Sequence, residues 1–238
     1  VISYPITFGR RYSHLRPSFK LVDKKSIMDL FNMGLKFFVL QIAAVVLFMT
    51  TNILISRYYS PKMVTPYQIA YRYFSVVQLL FFIICVPYWS ATTDAYNKKD
   101  FAWIKNAGKT LDRIIMGIMT IAIFMIIVSK PVYKIWIGDA NLVPFDLNIM
   151  VAIYVMILTL SMRYSYILNG FGTLRLQLIM TVSAAICYIP LAMIFCKNSN
   201  DIRYLLAVMC AVNVPGLIVN AIQYFKIIKG KAQGIWIK

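Results

Sequence analysis

Six apolar runs, each about 20 residues long, constrain this chain more than any other feature. A helix needs about that length to cross the roughly 30 Å of hydrocarbon in a bilayer. The chain is 61% hydrophobic and its mean hydropathy is +0.71, so a water-soluble domain of 238 residues could not bury its apolar surface. We therefore predict an all-α, polytopic membrane helix bundle. Its six transmembrane helices are expected near residues 34–56, 67–90, 114–132, 147–168, 174–196 and 204–228.

The charge balance predicts the orientation of these helices. The chain has 25 Lys and Arg against 8 acidic residues, all of them Asp. Eighteen basic residues fall on one side of the predicted spans and six on the other, with Arg72 inside a span. Basic loops stay in the cytoplasm, so both ends of the six-helix lobe are expected there. Because no aromatic–basic RNA-binding motif is present, the net charge of +17 indicates membrane lipids and no nucleic acid as partners.

The predicted spans divide the chain into three parts. Residues 1–33 are interpreted as the end of a preceding helix and a basic cytoplasmic connector, because the chain lacks an initial Met and opens on an apolar segment. Residues 34–228 form the six-helix lobe. Residues 229–238 form a basic cytoplasmic tail.

A cytoplasmic amphipathic helix is predicted at residues 100–113. Asp100 is placed to cap its N-terminus, and Ile104, Gly108 and Leu111 share one face. Lysines lie off that face, so the helix is expected to rest on the membrane surface.

Two arginines lie within the predicted spans, where a charge is costly. Arg72 sits a little over one turn into the second span. It is either a cationic site between helices for a phosphate or pyrophosphate, or a side chain that snorkels to the interface. Arg163 sits near the cytoplasmic end of the fourth span, where snorkelling is the easier explanation.

Neutral polar residues at membrane depth complete the candidate site. Such groups are expected to face protein or water, either to hydrogen-bond between helices or to line a polar cavity for a sugar. They are Gln41, Thr50, Thr51, Asn52, Gln78, Asn213 and Asn220. The candidate substrate-binding set is Arg72, Arg163, Asn52, Gln41, Gln78 and Tyr71.

The sequence offers no enzyme signature. The single histidine, His14, lies in a basic segment without metal-binding or catalytic partners. The four cysteines are irregularly spaced in apolar runs and are expected to be buried. No paired carboxylates, nucleophile motif or phosphate-binding loop occurs in a span, so we expect no catalytic residues, no metal and no cofactor.

Several segments resemble O-antigen and capsular polysaccharide flippases, the polysaccharide-export branch of the superfamily that also holds the MATE multidrug exporters. The resemblance covers almost the whole chain. The segments are NMGLKFFVLQI (32–42), TTNILIS (50–56), TPYQIAYRYF (65–74), PYWSATTDAY (87–96), KKDFAWIK (98–105) and NGFGTLRLQ (169–177).

This resemblance implies one lobe of a MATE-like two-lobe transporter, with a missing N-terminal lobe as its partner. It implies a multi-pass protein of the bacterial inner membrane that moves lipid-linked oligosaccharide units, carried on undecaprenyl pyrophosphate, to the outer leaflet by alternating access. Arg72 becomes the leading ligand for the pyrophosphate and Arg163 the second.

Three other functions stay open. A MATE-type exporter of small molecules would have the same fold, although buried acids would suit organic cations better than the positive charge found here. The others are a membrane-embedded transferase, against which the lack of catalytic acids and histidines argues, and a non-transport subunit of the same pathway.

Overall fold

The computed structural model describes residues 23–198 and 201–237, which contain seven α-helices and no strand. Six helices are long and apolar enough to cross a membrane, which confirms the predicted all-α polytopic bundle. The short α4 is the exception. The helices are α1 (Lys24–Tyr58), α2 (Pro61–Asn97), α3 (Phe101–Ile127), α4 (Ser129–Ile137), α5 (Phe145–Gly170), α6 (Arg175–Asn198) and α7 (Ile202–Ile228), followed by a 3₁₀ helix at Gly234–Trp236.

The chain divides into two compact units, Val1–Phe38 and Val39–Lys238. The described part of the first unit is residues 23–38, which begin α1 and are almost entirely exposed. The predicted connector therefore includes helix, because α1 starts ten residues before the expected boundary at Gly34. His14 and the rest of the predicted connector lie outside the described residues. All packing described below belongs to the second unit.

The predicted amphipathic helix is the first half of α3 and not a separate element. Asp100 caps it as expected, since its carboxylate accepts a hydrogen bond from the backbone N–H of Trp103 at 2.9 Å. No proline lies between Phe101 and Ile127, so the helix continues through the predicted boundary at Arg113 to Ile127. The face that carries Ile104, Gly108 and Leu111 is buried in the bundle, which differs from the prediction that it rests on the membrane surface.

Two core clusters follow one another along α2. The first contains Tyr67 and Phe74, packed with residues of α5 and α7. The second contains Phe81 and Cys85, packed with residues of α3, α5 and α7. We call the end of the bundle that holds the α2–α3 turn the basic end. The end that holds the α1–α2 turn is the opposite end.

The cysteines only partly match expectation. All four are free thiols. Cys85 and Cys196 are buried and Cys210 is half-buried, but Cys187 is exposed on α6. Cys187 lies on a helix long and apolar enough to cross a membrane, and a free thiol behaves as a small apolar residue, so it suits an apolar surface.

A cavity of about 640 Å³ at the opposite end is lined by paired charges. Arg203 Nη1 lies 3.0 Å from Asp146 Oδ2, and a second ion pair joins Arg203 to Asp201. Asp201 also caps α7 by accepting from the backbone N–H of Arg203 at 2.9 Å. The hydrogen bond from the Arg203 side chain lowers the pKa of Asp201, so the carboxylate stays ionised to acid pH. These charges stabilise the start of α7 and leave no cation for an anionic ligand.

Candidate functional site

The α1–α2 hairpin brings together two predicted site residues, Asn52 and Tyr71. Gln68 Nε2 donates to Asn52 Oδ1 at 2.6 Å, and Asn52 Nδ2 donates to the Phe48 carbonyl at 3.0 Å. One turn further into the hairpin, the Phe48 and Tyr71 ring centroids are 5.2 Å apart. These contacts fix the register between the two antiparallel helices at the opposite end of the bundle.

The two predicted glutamines lie further from the turn, one on each helix of the hairpin. Gln41 lies 11 residues before Asn52 on α1, and Gln78 lies 10 residues after Gln68 on α2, which is about 15–17 Å along each helix. Gln41 keeps the face of Asn52, whereas Gln78 is rotated about 80° from Gln68. Neither carboxamide has a hydrogen bond within residues 23–198 and 201–237.

We name the polar side chains of the α1–α2 hairpin the polar seam, of which Asn52 and Gln68 join the two helices. Its members are Gln41, Asn52, Gln68, Tyr71, Ser75 and Gln78. The α2 members recur at intervals of three or four residues, the spacing of one helix face. All are half-buried except Gln41, which is exposed on this chain. The prediction that polar residues at membrane depth face protein or water is confirmed for the buried Thr51 and Asn220, and for the exposed Gln41 it stays a prediction.

Arg72 lies on the exposed surface of α2, beside the polar seam. It is one turn from Gln68, and it shares its exposed face with Val76 and Leu79. Among the residues that the structure describes, it has no ion-pair partner. The side chain therefore stands at the border between the polar seam and an apolar face, outside the interior of this lobe. Its contact with an anionic ligand stays a prediction.

Tyrosines fill the space behind the polar seam. The ring of Tyr71 lies 6.3 Å from that of Tyr67 and 6.5 Å from that of Tyr154, measured between centroids. Deeper still, Tyr188 and Thr51 share a hydrogen bond of 2.8 Å. The hydroxyl of Tyr67 is buried and has no partner within the described residues. Buried hydroxyls are rarely left unpaired, so this one marks a place for water or a polar ligand group.

Arg163 forms a separate cluster near the basic end, in which its Nε and Nη2 are hydrogen-bonded and its buried Nη1 has no partner within the described residues. Its side chain is 3% exposed. Its Nε and Nη2 donate to the two carboxylate oxygens of Asp112 at 2.5 and 2.9 Å, and Nη2 also donates to the Gly108 carbonyl at 3.1 Å. The guanidinium carbon lies 4.4 Å from the ring centroids of both Tyr164 and Tyr224. Snorkelling is therefore the wrong explanation for Arg163, since its charge is held inside the protein by a bidentate carboxylate and two aromatic faces.

The two arginines do not belong to one site. Arg72 precedes Cys85 by 13 residues on α2, which is about 20 Å along the helix. Cys85 packs in the same core cluster as Tyr224, which contacts Arg163. The five remaining candidates lie on α1 and α2, whereas Arg163 lies on α5. Arg163 is also far from Arg72 along the bundle.

Sequence reasoning missed the partners of Arg163, which are Asp112, Gly108 and Tyr224. One signal was available, because Asp112 is the only acidic residue between Asp100 and Asp139. A buried arginine needs a counter-ion, and the region offers no other carboxylate. The prediction of a surface helix over residues 100–113 gave Asp112 no role, so the pair was not found.

Gly108 allows α3 to approach this cluster closely. A Cβ added there would overlap the Tyr224 hydroxyl and lie 3.1 Å from Arg163 Nη2. Gly108→Ala should therefore lower the free energy of unfolding by about 1–3 kcal/mol, the usual cost of overpacking. The melting temperature in detergent measures the loss. Adding Tyr224→Phe removes the overlapping hydroxyl and should recover part of the lost melting temperature. A double variant that melts as low as Gly108→Ala alone would contradict this explanation.

Comparison with known proteins identifies no relative: no family model, curated protein or solved structure matches the chain. Nor do the described residues contain three His, Cys or Asp side chains close enough to hold a metal ion. The functional interpretation therefore depends on the residues of the polar seam and on the resemblance noted above.

Proposed function

We propose that this chain is one lobe of a transporter that moves lipid-linked oligosaccharide repeat units, carried on undecaprenyl pyrophosphate, across the bacterial inner membrane for O-antigen or capsule export. The transport mode is alternating access, with a second, N-terminal lobe as partner and both ends of the described lobe in the cytoplasm. One observation carries the proposal: Arg72 is exposed, unpaired within the described residues, and adjacent to the polar seam.

The chemistry around Arg72 suits the three parts of such a substrate. A guanidinium binds phosphate oxygens in bidentate fashion and stays charged in any protein environment. The carboxamides of Asn52 and Gln68 and the ring of Tyr71 offer the hydrogen-bonding and stacking groups that sugars use. On the other side of Arg72, the exposed Val76 and Leu79 offer an apolar surface to a polyprenyl tail. An unpaired cation at membrane depth is costly, and an anionic headgroup offsets that cost.

The test is complementation by the gene that encodes this chain, carrying Arg72→Ala or Arg72→Lys, in a strain that lacks its own flippase. A hydrogen bond to a charged group contributes about 1.5–3 kcal/mol, so Arg72→Ala should lower surface polysaccharide roughly tenfold or more. Arg72→Lys keeps the charge without the bidentate geometry and should give an intermediate amount.

Arg57→Ala is the matched control, because Arg57 is another exposed arginine at the same end of the bundle. It should leave surface polysaccharide unchanged. Immunoblotting of membranes checks that all variants accumulate equally. Undiminished surface polysaccharide in the Arg72→Ala strain would show that Arg72 has no part in transport. Equal loss of polysaccharide in Arg72→Ala and Arg57→Ala would show that the effect is not specific to Arg72.

A further inference from the structure

The residues that follow α7 fold back onto that helix. Gly230 has a left-handed backbone with φ of 66°, and the backbone N–H of Lys231 donates to the Lys226 carbonyl at 2.9 Å. This Schellman motif reverses the chain at the end of the helix. The 3₁₀ helix at Gly234–Trp236 then lies against both α6 and α7. We name residues 229–237 the basic hook.

Two side chains of α7 fix the position of Trp236. Gln223 Nε2 donates to the Trp236 carbonyl at 3.0 Å, and Lys226 Nζ lies 3.7 Å from the centroid of the indole ring. Within the hook, Ala232 packs against the core cluster that contains Tyr224. These contacts place the indole ring level with the last turns of α7.

The charges of α6 and α7 show the depth of this ring in a membrane. Residues 204–225 of α7, which end at Lys226, carry no charge and are about 33 Å long as a helix. Residues 176–196 of α6, which follow Arg175, are uncharged over about 32 Å. Both lengths match the roughly 30 Å of hydrocarbon in a bilayer. Arg175, Lys226 and the indole ring of Trp236 therefore lie where the hydrocarbon ends.

The hook offers both apolar and basic side chains at this boundary. Ile235 and Ile237, on either side of the indole ring, are 43% and 47% exposed. Lys229 and Lys231 are also exposed, and neither forms an ion pair within residues 23–198 and 201–237. No acidic residue follows Asp201 in the sequence, so the hook has no carboxylate of its own to neutralise these lysines.

We propose that the basic hook is a binding site for anionic phospholipid at the ends of α6 and α7. Trp236 occupies the headgroup layer, where its amphipathic ring is favoured. Ile235 and Ile237 enter the first part of the acyl chains, and Lys229 and Lys231 contact the headgroup phosphates. Charge complementarity selects this occupant, because an uncharged lipid or an apolar protein surface would leave the lysines without counter-ions. The site is independent of what the protein transports.

The experiment uses the full chain with Trp236 as its single tryptophan, the other three being replaced by phenylalanine. The protein is reconstituted in phosphatidylcholine bilayers that contain the same mole fraction of either phosphatidylglycerol or phosphatidylcholine brominated near the headgroup. Bromine quenches an indole that it contacts, so the ratio of the two quenching efficiencies gives the preference for anionic lipid. Lys229→Ser with Lys231→Ser removes two charges from the hook. The matched control, Lys62→Ser with Lys197→Ser, removes two charges from exposed positions at the opposite end.

We expect phosphatidylglycerol to be enriched roughly fivefold over phosphatidylcholine beside Trp236, the factor that one basic residue near an anionic surface contributes. The hook variant should bring this ratio close to one, and the control variant should leave it unchanged. Equal melting temperatures of the two variants exclude unfolding as the cause.

Three results would overturn the proposal. Equal quenching by the two lipids in the parent would show no anionic preference. An equal fall of the ratio in both double variants would show that net charge, and not the hook, attracts the lipid. An indole that neither lipid quenches would show that the hook is covered by protein or lies in water.

Discussion

Asp112→Ala should lower the free energy of unfolding by about 2–3 kcal/mol, because it leaves the Arg163 charge without a counter-ion inside the bundle. Breaking a fully buried pair usually costs about 3–5 kcal/mol. The expected value is smaller here, since the Asp112 side chain is 51% exposed and the rings of Tyr164 and Tyr224 still face the guanidinium. The midpoint of thermal unfolding in detergent, followed by size-exclusion chromatography, measures the loss.

Asp94→Ala is the matched control for this prediction. Asp94 also pairs with a basic residue, Lys98, at 2.7 Å, but both side chains are about two-thirds exposed. Exposed pairs contribute about 0–1 kcal/mol, so this variant should unfold close to the parent midpoint. Adding Arg163→Met to Asp112→Ala removes the stranded charge and should recover stability. Equal effects of the two aspartate variants would show that Arg163 does not depend on Asp112.

The fold could be predicted because membrane crossing leaves a strong local signal. Runs of about 20 apolar residues identify six spans without any knowledge of packing. The apolar character that identifies the spans also hides which helix face is buried. On α6, for example, lipid-facing and protein-facing positions are both apolar and give no periodicity. The helical start of α1 at Lys24 was missed because the basic residues before Gly34 were interpreted as part of a cytoplasmic connector.

The candidate site could be predicted in part for a similar reason. Polar residues stand out against apolar runs, so Asn52, Tyr71 and Gln78 were found from their depth alone. The contacts that join α1 and α2, Asn52 with Gln68 and Phe48 with Tyr71, depend on how the two helices pack near their turn, which no local pattern predicts. Arg163 was misinterpreted because its partner lies 51 residues away on another helix, and no local pattern reports that distance.

Gly170→Ala should lower the free energy of unfolding by about 3 kcal/mol, the upper end of the usual cost of overpacking. Gly170 is the last residue of α5, and a Cβ added there would lie 2.7 Å from Thr92 Cβ and 3.1 Å from the Trp89 carbonyl. Both atoms are fixed to the α2 backbone, and Thr92 is fully buried, so no side-chain rotation relieves the contact. The two helices must move apart, which also disturbs the core around Phe171.

Gly117→Ala separates this packing effect from the intrinsic effect of glycine. Gly117 is also helical, but a Cβ added there meets no atom within 4 Å. Alanine is up to about 1 kcal/mol more favourable than glycine in a helix, so Gly117→Ala should raise the melting temperature while Gly170→Ala lowers it. If both variants shift the melting temperature in the same direction, the close approach of α5 to α2 at Gly170 is not what requires a glycine there. Opposite shifts would show that the contact between α5 and α2, and not the backbone conformation of Gly170, requires a glycine at this position.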